Sequence, residues 1–356
     1  MNLGPLLVPA GEPRRLTHQS ARTIQGIAWS GGESLVYGAW QGGTNLWRVT
    51  INGGEPERLE LGNPAARPAL SASGNRLVYT RWGTDTDLWT CRSGLEPIPT
   101  ASSSLIDVAP DLGPDDRIVF ASERSGRGMQ IWTANADGTN LKALTESSDR
   151  WHGSPRWSPD GRWIAYDARD TDGVNGIYVI EATGGSPKRL TQQHGSYPSW
   201  SRDGLWVHFA SNRSGRSEVW RVRVADESAI PVTNQGGWGP RESWDGTAVF
   251  YTRGGALYSK SLAGGPEQRV LPSVVGSDFF PTKNGIYYVV QADNKRPYSY
   301  EIRFLSSVTQ KAETLYRFES LTSGLGLSVS ADEKTIIYTG ISPAKNDDLM
   351  MIDNFR

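Results

Sequence analysis

Trp157-Ser158-Pro159-Asp160-Gly161-Arg162-Trp163-Ile164-Ala165-Tyr166 returns 43 residues later as Trp200-Ser201-Arg202-Asp203-Gly204-Leu205-Trp206-Val207-His208-Phe209. Self-similarity at such a period marks a repeat architecture and takes precedence over any local reading. Around the first copy, Ser154-Pro155-Arg156-Trp157-Ser158 reads as a first strand. Pro159-Asp160-Gly161 supplies a turn, because Pro presets φ and Asp-Gly tolerates the positive φ of a tight hairpin. Trp163-Ile164-Ala165-Tyr166 is apolar without a polar alternation, so this second strand is expected to be covered on both faces. Ile177-Tyr178-Val179-Ile180 is the third strand. Gly184-Gly185 turns the chain into Pro187-Lys188-Arg189-Leu190-Thr191, the fourth and most polar. A four-stranded antiparallel sheet buried on both faces and repeated about every 40–45 residues is the blade of a β-propeller.

Outward from these two copies, which begin near residues 153 and 196, six more begin near 24, 66, 106, 239, 279 and 325, that near 106 matching best among them. The expectation is therefore an all-β chain, 1–356 being a single β-propeller domain of four-stranded antiparallel blades with 1–11 as a loose lead-in. Copy seven is degenerate: Lys283-Asn284-Gly285 replaces the Asp-Gly turn before Ile286-Tyr287-Tyr288-Val289. Eight blades is the reading, with seven the alternative if that copy is an irregular insertion. The last copy ends in Asp348-Leu349-Met350-Met351 without a fourth strand, whereas Glu12-Pro13-Arg14-Arg15-Leu16-Thr17 matches a fourth strand with no first three before it. Strand 12–17 is expected to pair with the last blade and close the ring.

Forty Gly and 21 Pro fall at recurring turns, which fits many short strands rather than disorder. The formal net charge is −1 with no basic or acidic block, so neither nucleic acid nor an anionic membrane surface is an expected partner. The single cysteine, Cys91, excludes an internal disulfide. No stretch is long enough to span a bilayer, and Met1–Ala10 lacks the basic start of a signal peptide.

The recurring signature is Pro-x-Trp-Ser-x-Asp-Gly, an apolar run ending in Tyr or Phe, Ser-x-Arg-Ser-Gly, Ile-Trp and Leu-Thr. It resembles the TolB-type propeller repeat, a relative of the WD repeat, and weaker matches extend over nearly all of residues 12–352. The C-terminal Asp348-Leu349-Met350-Met351-Ile352-Asp353-Asn354-Phe355-Arg356 is similar to the end of bacterial regulators in which such a propeller follows a winged-helix domain and a membrane segment. The resemblance implies binding and scaffolding, often in the periplasm or otherwise outside the cytoplasm, and names no one ligand.

By that family's geometry, the loops before the first strands and between the second and third strands share one face. Read on those positions, the candidate ligand-binding residues are Trp40, Arg67, Trp82, Asp107, Trp151, His152, His194, Trp238 and Phe279. Of the 14 tryptophans, Trp40, Trp82, Trp151 and Trp238 have no repeat position that explains them as packing. Aromatic faces with Arg and Asp around a central depression suit a sugar or a peptide, and the competing explanation is that loop tryptophans cover blade edges. His152 and His194 hold equivalent places in neighbouring copies and suit a metal pair or an acid–base pair, though two histidines without a third ligand are equally local hydrogen-bonding groups. Asp170-Thr171-Asp172-Gly173 resembles part of a calcium loop but lacks the later bidentate Glu, as a solvated hairpin would. No cofactor is expected, a divalent cation being the one that stays open. The Arg of Ser-x-Arg-Ser-Gly (Arg124, Arg213) recurs with the repeat and is expected to hold loops.

No Gly-x-Ser-x-Gly elbow, phosphate loop or dinucleotide fingerprint is present. The leading expectation is a non-enzymatic propeller that binds a protein, peptide or carbohydrate on its aromatic loop face. One alternative is a polysaccharide lyase or hydrolase using His152 and His194, with Arg67 neutralising a uronate. The other is a sensor or interaction module detached from a membrane-bound regulator.

Overall fold

The computed structural model describes residues 13–17, 23–40, 44–59, 61, 65–81, 86–92, 94–103, 105–126, 128–146, 151–169, 173–293, 298–320, 326–341 and 348–355. Among them every regular element is a β-strand, and no helix is long and apolar enough to cross a membrane. The strands form eight antiparallel sheets, which divide between two compact units, 84–345 and 1–83 with 346–356.

Six sheets make up the unit 84–345. Sheet III holds Asp107–Leu112, Arg117–Ser122, Gln130–Asn135 and Lys142–Ala143; sheet IV holds His152–Trp157, Trp163–Arg169, Asn175–Glu181 and Lys188–Arg189. Sheet V holds Ser196–Trp200, Trp206–Ser211, Glu218–Arg223 and Ala229–Pro231; sheet VI holds Trp238–Glu242, Ala248–Arg253, Ala256–Ser261 and Gln268–Leu271. Sheet VII holds Phe279–Pro281, Gly285–Gln291, Tyr298–Ser306 and Ala312–Ser320, so the degenerate copy is an ordinary four-stranded sheet. Sheet VIII joins distant segments: Leu327–Val329 and Thr335–Ile341 pair onward to Thr86–Arg92 and Ile98–Thr100.

Each neighbouring pair of these sheets shares its own apolar cluster. Val119 and Ile131 meet Trp157 and Ile164, and Ile177 and Val179 meet Val207 and Phe209. Val219 meets Tyr251, Leu257 meets Tyr288, and Val289 meets Ile336 and Tyr338. The succession returns to its start where Leu88 and Ile337 of sheet VIII meet Ile118 and Phe120 of sheet III. Burial of both faces of every sheet explains why the second strands carry no polar alternation.

The other unit has two sheets. Sheet I holds Ile24–Ser30, Ser34–Trp40, Thr44–Thr50 and Glu57–Arg58; sheet II holds Ala66–Leu70, Arg76–Arg81 and Asp348–Asp353. Val36 and Leu46 of the first pack on Leu77 and Tyr79 of the second. Pro13–Thr17 forms no strand, and the strand that completes the last copy is Thr86–Arg92. The expected closure by 12–17 is thus replaced by the pairing Tyr338↔Trp89 and its neighbours. The physical reason is that Thr86–Arg92 offers seven paired residues and a covered apolar face, which the polar Arg14-Arg15 segment does not.

The repeated motif residues build turns and anchors. Ser158 Oγ donates to Asp160 Oδ1 (2.6 Å), Arg162 N donates to the same oxygen (3.1 Å), and Trp163 N donates back to Ser158 Oγ (2.9 Å). Gly161 takes φ +69°, which glycine adopts freely. Ser243, Asp245 and Gly246 repeat the circuit, and in Ser330-Ala331-Asp332-Glu333 the glutamate takes φ +59° in glycine's place. The Thr after each fourth strand anchors the third strand of its own sheet: Thr145, Thr191 and Thr233 accept from the amides of Ile131, Ile177 and Val219.

Candidate functional site

The first strands of sheets III to VI each carry a bulge just before a proline, whereas Phe279–Pro281 of sheet VII reaches Pro281 without a register shift. Ala109, Ser154 and Tyr197 hold φ +56°, +47° and +53° ahead of Pro110, Pro155 and Pro198, and Gly239 precedes Pro240 at +59°. The ladder shifts register at each of these places. A bulge leaves one residue unpaired and re-aims the next side chain. The residue after the proline is Asp111, Arg156, Ser199 or Arg241.

These side chains converge on one cavity of about 270 Å³, to which all six sheets contribute. Its wall is both aromatic and charged, with Trp157, Trp200, Trp244 and Phe280 beside Arg156, Arg202 and Arg241. Arg241 stacks on Phe280 (4.7 Å to the ring centre), donates from Nη2 to Leu327 O (3.2 Å) and stands 3.8 Å from Asp111 Oδ1. Burial pushes its guanidinium down to about 9, with the neighbouring cation Arg156 acting in the same direction and Asp111 and Asp278 acting against it. Asp111 is held in place by the Trp157 amide (3.0 Å) and the Ser328 hydroxyl (3.2 Å). Arg156 donates from Nη1 to Pro155 O (2.7 Å) and Ala109 O (3.3 Å). Glu242 occupies the place that Trp157 and Trp200 hold in their copies; it takes the Arg202 amide and meets the buried His208 Nε2 at 3.2 Å. Ser199 Oγ is buried without a partner among the described residues.

The cavity lies at the C-terminal ends of the first strands and among the hairpins that follow them. The residues expected from sequence lie at the opposite ends. Asp107 is fully buried and paired with Arg124 Nη2 (2.9 Å), whose guanidinium also stacks on Phe120 and Trp132. His152 is buried, with Nδ1 2.9 Å from Thr145 Oγ1 and its ring against Tyr166. His194 is half-buried, and burial and Arg213 push its imidazole below the usual range. No group of three metal-ligating side chains forms among the described residues. Trp151 is exposed, while half-buried Trp238 packs against Tyr197 with ring centres 5.3 Å apart. Phe279 is a correction: at 0% exposure it is a core residue between sheets VI and VII and offers no face to a ligand. Trp40 and the exposed Arg67 belong to the two-sheet unit. Trp82, Asp170 and Asp172 lie outside the described residues. Arg124 and Arg213 hold loops, each through Nε on a Ser Oγ at 3.0 Å.

A family model described as the TolB beta propeller domain matches residues 146–271. The chain carries a TolB-like β-propeller. An uncharacterized Agrobacterium fabrum protein, Atu1656, is 30% identical over 162 residues, 44% of this chain and 54% of that protein. The Tol-Pal system protein TolB of Francisella tularensis subsp. holarctica is 29% identical over 114 residues, 31% of this chain and 26% of that one. The chain thus spans about half the length of the first relative and about a quarter of the second. Among solved structures, a protein assigned as a TolB from Agrobacterium tumefaciens superposes with a TM-score of 0.62 at 18% identity, over 73% of this chain and 99% of that one. TolB from Acinetobacter baumannii gives 0.52 at 14%, over 91% and 80%. At these identities the structural likeness speaks for the TolB-like fold alone.

Proposed function

We propose that the six-sheet unit is a non-enzymatic binding module that seats part of a protein partner in its axial cavity. The observation that carries this reading is the cavity itself. Six independently packed sheets each lend a rigid first strand to one aromatic and cationic wall, and such mixed pockets concentrate binding energy in few residues. The relatives named for the Tol-Pal system support a protein partner and an extracytoplasmic setting. The lyase alternative has less support, because His152 is committed to Thr145 and Tyr166 between sheets.

Selection of random displayed peptides on the purified protein tests the module. Ala331 is exposed on the cavity rim, so Ala331→Trp fills the mouth without disturbing the core. Enriched peptides are expected to lose binding to A331W while its melting temperature stays unchanged. Peptides that bind both proteins equally would place the binding surface elsewhere.

A further inference from the structure

We infer that the axial cavity contains a carboxylate subsite, formed by Arg156 and Arg241, that receives a terminal or side-chain carboxylate of an extended peptide. This rests on the module reading above and adds the chemistry of its ligand. The first argument is unused hydrogen-bonding capacity. Arg156 spends Nη1 on two carbonyls, and its Nε and Nη2 find no acceptor among the described residues. Those two N–H groups form the side-on fork that matches a carboxylate bidentately. Arg241 spends Nη2 on Leu327 O, and Asp111 at 3.8 Å from Nη1 is beyond hydrogen-bond length.

Charge is the second argument. The cavity wall carries Arg156, Arg202 and Arg241 against Asp111 and Glu242, and the buried Asp167, which is not part of that wall, acts on Arg156. Both carboxylates are already engaged, Asp111 by the Trp157 amide and Ser328, Glu242 by His208 and the Arg202 amide. Asp278 lies close enough to act on Arg241, yet burial and Arg156 still outweigh the two acids there. A buried cation with too little countercharge is stabilised by an incoming anion.

Size and surface are the third. About 270 Å³ lies just below the usual range of small-molecule pockets, roughly 300–1,000 Å³, and accommodates one residue rather than an oligosaccharide. The Ser199 hydroxyl, unpartnered among the described residues, sits on the same wall, and Trp157 and Trp200 flank it with apolar surface. One polar end and one apolar side describe the last residue of a peptide or an acidic residue beside an apolar one.

Calorimetric titration tests this with acetyl-Ala-Ala-Phe as free acid, its C-terminal amide, acetyl-Ala-Asp-Ala amide, galacturonate and inorganic phosphate. The acid is expected to bind about tenfold or more tightly than the amide, and more weakly as salt rises. The aspartyl peptide separates a side-chain source from a terminal one. Arg156→Met is expected to erase the preference for acid over amide, with Arg156→Lys restoring part of it. Equal binding of acid and amide to the wild-type protein overturns the inference without any variant, as does tighter binding of galacturonate or phosphate than of either acidic peptide. Absence of acid binding at millimolar concentration does so too. Selected peptides that enter the cavity yet ignore both amidation and Arg156→Met would sink the subsite and leave the module standing. Peptides indifferent to A331W would instead sink the module.

Discussion

Thr86–Arg92 and Asp348–Asp353 are both third strands, and their sequences open alike with Asp87-Leu88 and Asp348-Leu349. Their registers also correspond. Leu88 and Trp89 face Thr339 and Tyr338, and Leu349 and Met350 face Thr80 and Tyr79. Yet Leu88 is 0% exposed and Leu349 is 73% exposed. The backbone ladder is therefore not what separates them. Leu88 lies under the Ile118–Phe120 face of sheet III, and its strand pairs onward to Ile98–Thr100. Asp348–Asp353 is an edge strand, with no fourth strand beside it among the described residues. A blade is stable because neighbours cover both faces, and an equal ladder without that cover leaves its apolar residues in water. Ile27 and Trp29 of sheet I, 61% and 62% exposed, show the same deficit.

The largest expected effect follows directly. Leu88→Ala should lose about 2–5 kcal/mol in denaturant unfolding, as for a fully buried leucine. Leu349→Ala should stay within about 0.5 kcal/mol of wild type. Comparable losses at both would break the comparison. They would mean that Asp348–Asp353 is covered as well.

This pair also shows where sequence reading stops. The blades were legible because Ser158, Asp160, Gly161 and Thr191 and their counterparts in several copies serve a local hydrogen-bond circuit, and local circuits leave local motifs. Ring closure was not legible. Two strands that both begin Asp-Leu and both face Thr-Tyr are interchangeable to any local rule, and the choice falls to contacts more than 200 residues apart. The cavity escaped for a related reason. Asp111, Arg156, Ser199 and Arg241 fill the x of Pro-x-Trp-Ser, a position that varies between copies, and they meet only around the axis. The signal was the variable position within a regular repeat. The loop tryptophans and histidines stand at the other ends of the strands.

A smaller effect sharpens the contrast through pH. Glu123, on sheet III's second-to-third loop, is buried, and no ion pair holds it among the described residues; burial pushes its carboxyl up to about 7. Asp167, buried in sheet IV, is pushed up to about 6 for the same reason. Both folded values exceed the unfolded ones, so the folded state binds more protons and stability falls as pH rises through about 6–7. Glu123→Gln should raise the melting temperature at pH 8 and flatten the fall between about pH 5 and 7, with a gain of at most roughly 3 kcal/mol at one pKa unit per 1.36 kcal/mol. An unchanged slope would mean that the carboxyl is solvated. In the two-sheet unit, the Arg76–Asp353 pair at 2.9 Å has both side chains more than half exposed, so substituting Arg76 should cost no more than about 1 kcal/mol.

The smallest effect concerns one turn built in two ways. In sheet IV, Asp160 Oδ1 gathers the Ser158 hydroxyl and the Arg162 amide, and these bonds, the Ser158 one foremost, hold its carboxyl below the usual range. In sheet II the equivalent stretch is Ser71-Ala72-Ser73-Gly74-Asn75, with Ser73 in the aspartate's place and Gly74 at φ +73°. Ser71 Oγ still accepts the Arg76 amide (3.1 Å), but it now donates to the neutral amide oxygen of Asn75 (3.2 Å), which also accepts from the Ser73 hydroxyl, rather than to a carboxylate. A carboxylate accepts charge-assisted bonds that a neutral oxygen does not. Asp160→Ala should therefore cost about 1 kcal/mol, and Ser73→Asp should gain about half that, both read from the denaturation midpoint at unchanged slope. The aspartate's contribution is present above the ordinary carboxylate range and is lost as pH falls through its lowered folded value, so both differences should vanish in strong acid. A Ser73→Asp variant that destabilises the protein at neutral pH would show that the turn of sheet II follows a different path from that of sheet IV, and that the two-sheet unit departs from the repeat in its hairpins as well as in its cover.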